Sequence, residues 1–283
     1  MEPQLRPQAT GPAVGRAAWR VQLGVCTDVG HVREQNEDRW LVFDLNRRQR
    51  MNGTSSDEQP LLPPGHLLVV ADGMGGMTGG ERASQICVDT LAEELTSKLG
   101  AQVNAREALC QIVVEAVRAA NQRILGEAVA DQKLSGMGTT LTAAVVGDGT
   151  ISIVQVGDSR AYLVRGTQAQ QLTHDQTIWE SMLAAGQNPE QGVGNAPWKN
   201  MLVQAVGAQA KVDPVLSDHE LQAGDTVVLC SDGLHRVVKA EEIADVATRE
   251  KSPTAIAQAL VALANERGGP DNVTVVVGHV SAR

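Results

Sequence analysis

The grouping of strand-like and helix-like segments constrains this chain more than any other feature. Short apolar runs occur in clusters, at VQLGVCTDVG (21–30), RWLVFDL (39–45) and HLLVVADG (66–73), then at TTLTAAVVGDGTISIVQVGDSRAYLVRG (139–166), DTVVLCSDG (225–233) and NVTVVVGHV (272–280). Pairs of amphipathic helices separate the clusters. Ala83, Cys87, Leu91 and Leu95 form one stripe on a helix that Thr78-Gly79-Gly80-Glu81 could open as a capping box. Leu109, Ile112, Val113, Ala116, Val117, Ala120 and Ile124 mark a second helix over about 105–128. Two more are predicted at 240–249 and 253–266, the latter opened by Ser252 as N-cap and Pro253 at its first position. Clustered strands with helix pairs between them argue for an α+β fold over alternating βαβ units. Two sheets packed face to face, with helix pairs outside, would bury every one of these stripes.

The expected layout is a tail over residues 1–19 without periodicity, then one domain over 20–281. Within it, 47–65 reads as a polar surface loop ending in Pro-Pro-Gly, and Gly147-Asp148-Gly149 as a hairpin turn. Residues 174–211 form a mixed stretch with a short helix near 176–186 and a Gly/Asn/Pro-rich segment. With 24 Lys and Arg against 33 Asp and Glu, the net charge is -9, which disfavours a nucleic-acid binder. No apolar run approaches the length of a membrane span, and the first residues lack a secretory apolar core, so a cytoplasmic chain is expected. Its four cysteines, Cys26, Cys87, Cys110 and Cys230, have no metal-binding spacing and read as reduced core thiols.

Three aspartates share an unusual setting. Asp72 and Asp232 each end an apolar strand and precede glycine, and Asp271 stands at the start of the last strand after Gly268-Gly269-Pro270. Any one of them alone reads as turn chemistry. The acidic segment Arg33-Glu34-Gln35-Asn36-Glu37-Asp38 alone reads as a solvated turn. Converging carboxylates raise one another's pKa, so a cluster of Glu37, Asp38, Asp72, Asp232 and Asp271 requires cations. Without Cys or His in the set, hard oxygen donors suit Mg2+ or Mn2+, and a pair of such ions can activate water for hydrolysis. Arg33 adds a fork suited to a phosphate dianion.

These residues fall into six blocks in a fixed order. They are Arg33…Asn36-Glu37-Asp38, Val70-Ala71-Asp72-Gly73-Met74-Gly75-Gly76, Gly136-Met137-Gly138-Thr139-Thr140, Gly157-Asp158-Ser159-Arg160, Ser231-Asp232-Gly233 and Gly269-Pro270-Asp271-Asn272. The series, over about residues 20–281, resembles the metal-dependent (PPM, type 2C) serine/threonine protein phosphatases in their bacterial form. The resemblance implies a β-sandwich of two antiparallel sheets flanked by helix pairs, and hydrolysis of phosphoserine and phosphothreonine by metal-activated water. It implies two Mn2+ or Mg2+ ions and phosphorylated proteins as partners, with no nucleic acid or membrane; the chain is expected to act as a monomer. By position, Asp72 matches the carboxylate bridging both ions, and Gly73 the residue lending a backbone carbonyl. Asp232 and Asp271 match the remaining ligands of one ion, Glu37 or Asp38 the acidic position at the other, and Arg33 the phosphate-binding arginine. Asn272 is expected beside a ligand, supporting it.

Two positions depart from the pattern. Met74 stands where some members carry a histidine proposed as general acid. Gly136, preceded by Ser135, stands where some bacterial members carry a third-ion aspartate, and Asp131 is out of register, which leaves a third ion open. Asp158 and Arg160 read as a buried structural pair. His174 and His235 read as loop or packing residues. A non-catalytic phosphoprotein-binding domain of the same fold and a small-molecule phosphomonoesterase are the alternatives, the intact acidic set speaking against the first.

Overall fold

The computed structural model describes residues 19–55, 57–75, 79–100, 105–147, 149–187 and 197–282. The expected tail over 1–18, the Gly76–Thr78 stretch with its capping hydroxyl, and Asp148 of the hairpin turn lie outside the described residues. The strands are β1 (Trp19–Asp28), β2 (Arg39–Asp44), β3 (Gln49–Met51), β4 (Gln59–Pro60), β5 (His66–Ala71), β6 (Gly73–Met74) and β7 (Gly138–Thr139). They continue with β8 (Leu141–Val146), β9 (Thr150–Val156), β10 (Arg160–Arg165), β11 (Gln168–Gln171), β12 (Val215–Glu220), β13 (Thr226–Cys230) and β14 (Val273–Ala282). The helices are α1 (Gly79–Lys98), α2 (Arg106–Ala130), α3 (Ile178–Ala184), α4 (Asp232–His235), α5 (Ala240–Arg249) and α6 (Pro253–Glu266). No described helix is long and apolar enough to cross a membrane.

Among the described residues, two six-stranded antiparallel sheets form, in the orders β11-β10-β13-β14-β1-β4 and β12-β9-β8-β5-β2-β3. Alternation along β5 shows why its run LLVVA after His66 is apolar throughout. Leu68 and Val70 enter the core between the sheets with Leu23, Val227, Leu229 and Val276. Leu67, Val69 and Ala71 face the other way, onto Ile86, Leu91, Leu95, Val113 and Val117 of α1 and α2. The first sheet is covered likewise, with Val228, Val275 and Val277 against Ile243 and Leu260 of α5 and α6. Two layers of helix therefore enclose two of sheet, as the clustering of segments implied. Helices α5 and α6 start and stop where the sequence placed them, and the Ser252 hydroxyl accepts from Ala255 N–H at 3.2 Å as N-cap.

Several details differ from expectation. Trp19 pairs with Ala282 in β1, so residue 19 belongs to the sheet and not to the expected tail. The 47–65 loop carries two short strands, because β3 adds an edge to β2 and β4 pairs with Arg20 and Val21. Edge strands β11 and β12 were not anticipated; their exposed, mostly polar sequences QAQQ and VLSDHE carry no one-sided apolar alternation.

Candidate metal centre

The acidic residues singled out in the sequence meet at one end of the sandwich. Asp72 directly follows β5, and Glu37 and Asp38 directly precede β2, its neighbour, with Arg39 opposite Ala71. From the other sheet, Asp232 follows β13 and Asp271 precedes β14, and Ser231 N–H donates to Thr274 O at 3.1 Å across that pair. Each carboxylate thus leaves a strand end whose backbone the sheet holds in place.

Close backbone packing fixes the approach. A Cβ on Gly73 would lie 2.2 Å from Gly80 O and 2.6 Å from Glu37 O, and one on Gly233 would lie 2.0 Å from Asn272 O. Only glycine fits either place. Thr140 holds Asp72 through both backbone groups: its Oγ1 accepts from Asp72 N–H at 3.0 Å and its own N–H donates to Asp72 O at 2.8 Å. Thr140 Oγ1 also meets Ser159 Oγ at 2.7 Å, tying the Gly-Asp-Ser-Arg block to the same support. The Asn272 side chain secures the 29–37 loop, accepting from Glu37 N–H at 2.8 Å and donating to Val29 O and Gln35 O, each at 2.9 Å. Arg39 braces that loop from the far side, donating to Asn36 O, Asp38 O, Gln85 and Glu81 at 2.6–2.9 Å.

A cavity of about 250 Å³ opens between these elements, lined by Arg33, Glu37, Asp72, Asp158, Asp232, Arg236 and Asp271, with Gly73, Met74 and Asn272 among its neutral walls. Five carboxylates therefore face two guanidiniums, a formal excess of three negative charges. Burial, then the charges of Asp232 and Asp38, push the Asp72 carboxyl well above the usual range. Asp232 is also raised, chiefly by burial, against the lowering effect of the Arg236 charge. Burial likewise raises Glu37 and pushes Asp158 up to about 7. Asp38 turns inward, 3% exposed, accepting from Ser231 Oγ at 2.7 Å, and burial pushes it up to about 7. Its Oδ1 has no partner.

Of the two acidic candidates at the second-ion position, Glu37 thus faces the cavity and Asp38 stands behind it. Arg33, half exposed, donates to Asp271 at 2.8 Å. The expected Asp158–Arg160 pair does not form. Arg160 makes a bidentate pair with Asp175 at 2.6 and 2.8 Å, leaving Asp158 on the cavity wall. His235 Nε2 donates to Asp158 O at 3.0 Å, a packing role. Sequence reasoning missed Arg236, which pairs with Asp232 and lies 4.0 Å from Asp158. Its position four residues after Asp232 was the available signal. Among the described residues no three acidic, His or Cys side chains are gathered around a single point as a finished ligand cage. Asp232 and Asp271 each pair with an arginine there.

Comparison with known proteins agrees with this architecture. A family model described as Protein phosphatase 2C matches residues 61–271. The serine/threonine phosphatase stp of Listeria welshimeri is 34% identical over 254 residues, covering 89% of this chain and 92% of that protein. The solved serine/threonine phosphatase of S. agalactiae superposes with a TM-score of 0.78 at 31% identity, covering 92% of this chain and 99% of that one. The catalytic domain of the serine threonine protein phosphatase PstP, solved in complex with two manganese ions, superposes with a TM-score of 0.72 at 32% identity, covering 93% and 99%. With the acidic blocks in order, the sandwich closed around them and a family match over most of its length, this chain belongs to the protein phosphatase 2C family.

Proposed function

We propose that the chain is a metal-dependent phosphatase that removes the phosphoryl group from phosphoserine and phosphothreonine in proteins, using two Mn2+ or Mg2+ ions held in the acidic cavity. The observation that carries this reading is the set of five carboxylates converging on one cavity with only two guanidiniums to balance them. Burial raises both the Asp72 and the Asp232 carboxyl, and the Asp232 charge raises Asp72 further, so keeping both ionised without divalent cations is costly. The donors are hard oxygens throughout, which suits Mg2+ or Mn2+.

On this reading Asp72, the Gly73 carbonyl, Asp232 and Asp271 would hold the two ions. Glu37 would add an acidic group for the ions, and Asp38 would stand behind it, held by Ser231. When bound, the ions supply Lewis acidity that lowers the pKa of water and neutralises phosphoryl charge. Arg33, fixed by Asp271, offers its remaining N–H groups to the phosphoryl oxygens at the rim. Asn272 keeps the 29–37 loop, and with it Arg33 and Glu37, in register with Asp271. Met74 brings no proton donor to the cavity wall, so protonation of the leaving alcohol does not fall to that position.

The test is phosphate release from phosphoseryl and phosphothreonyl peptides, and from p-nitrophenyl phosphate, with Mn2+ and with EDTA. Mn2+-dependent release from the peptides, abolished in Asp72→Ala, is expected. Peptide turnover that survives both EDTA and Asp72→Ala overturns the reading, and release from the small ester alone favours a phosphomonoesterase.

A further inference from the structure

Arg236 belongs to none of the motif blocks, yet it sits on the cavity wall. It follows the four-residue helix α4, its N–H donating to Asp232 O at 3.0 Å, and its guanidinium folds back across that turn. There it pairs with the Asp232 carboxylate and lies 4.0 Å from that of Asp158. The Asp232 and Asp158 carboxylates are nearly buried, at 11% and 8% side-chain exposure, whereas Arg236 is 38% exposed. Asp271 has Arg33 and Asp38 has Ser231, so Arg236 is the described cation assigned to the Asp158–Asp232 side of the cavity.

We propose that Arg236 is an internal cation that competes with the divalent ion for Asp232 and so weakens metal binding at that side of the site. The inference rests on the metal reading above. An oxygen of Asp232 in contact with the Arg236 fork cannot offer the same lone pair to an ion, and a guanidinium beside a divalent ion repels it. In the metal-free chain the pair offsets part of the carboxylate crowding. When metal enters, the Arg236–Asp232 contact is exchanged for coordination. The hydrogen bond from His235 to Asp158 O and the backbone bonds of α4 do not involve the Arg236 side chain, so the turn keeps its anchors when the guanidinium is removed.

The experiment is calorimetric titration of the metal-stripped full chain with Mn2+, for the wild type, Arg236→Gln and Arg236→Lys, alongside thermal melts in EDTA. Arg236→Gln should bind Mn2+ about tenfold more tightly, the scale of repulsion between a unit charge and a divalent ion several ångströms apart in a water-like dielectric. It should also melt at lower temperature than the wild type in EDTA. Arg236→Lys, which keeps the charge without the fork, should fall between the two in affinity. Equal or weaker Mn2+ binding by a folded Arg236→Gln overturns the inference while leaving the metal reading in place. A wild type that takes up no Mn2+ overturns both.

Discussion

Replacing Asn272 tests how the site is held together. Its amide satisfies three backbone groups of the 29–37 loop, Glu37 N–H, Val29 O and Gln35 O, at 2.8–2.9 Å, and the residue is 6% exposed. In Asn272→Ala all three lose their partner in a poorly hydrated place. At about 1 kcal/mol net for each hydrogen bond, the loss is about 3 kcal/mol, or on the order of 5–10 °C in Tm. Asn272→Asp is nearly isosteric yet worse. It keeps the acceptor for Glu37 N–H but turns a carboxylate oxygen toward two carbonyl oxygens, and it adds a charge beside Asp271. Stability should therefore fall in the order wild type, Asn272→Ala, Asn272→Asp in urea unfolding followed by circular dichroism. Activity with phosphopeptides should drop roughly 10–100-fold in either variant, because the loop also carries Arg33 and Glu37. An Asn272→Asp at least as stable as Asn272→Ala, or an Asn272→Ala within 1 kcal/mol of wild type, would refute this account of the loop.

Three further outcomes are expected. Gly233→Ala places a Cβ 2.0 Å from Asn272 O, so it should unfold the chain more readily by about 2 kcal/mol or more, seen as a lower urea midpoint, and an unchanged midpoint would contradict the packing. Arg39→Gln removes donors to Asn36 O and Asp38 O and should weaken Mn2+ binding about tenfold in calorimetry, whereas wild-type affinity would show that the loop needs no brace. In EDTA, stability should fall by about 1.5 kcal/mol between pH 6.5 and 8, because Asp38 and Asp158, each pushed up to about 7 mainly by burial, hold protons in the folded state that the unfolded chain has already released. His235, which burial lowers to about 4, acts in the opposite sense only below its unfolded pKa near 6.5. Saturating Mn2+ should abolish the fall, and a flat or rising profile in EDTA would count against buried, crowded carboxylates.

Much of this was legible because burial leaves a pattern. The five apolar residues of β5, Leu67 to Ala71, lie against other layers on both faces, and Ser252 with Pro253 marks the start of α6 through its own backbone chemistry. The aspartates were legible as a group because each stands where an apolar strand stops. What could not be read depends on pairings without local signature. Arg160 finds Asp175 fifteen residues away instead of Asp158, and this exchange, which puts Asp158 on the cavity wall, is decided by how β10 and the segment after β11 cross. The same holds for β11 and β12, which join sheet edges while exposing polar faces to water. Glu37 and Asp38 are adjacent in sequence, and only the fold decides that one faces the cavity and the other Ser231.

Asp72 rides on one sheet, and Asp232 and Asp271 ride on the other, with Leu23, Leu68, Val227 and Val276 filling the gap. On the proposed reading, the spacing of the jaws that would grip the ions is therefore set by the thickness of an oily filling that never touches them. Trimming that filling, as in Leu68→Ala, lets the jaws settle closer. Preference among cations of different radius should then drift before the fold is lost. Ion selectivity in such a molecule is partly a property of its hydrocarbon interior.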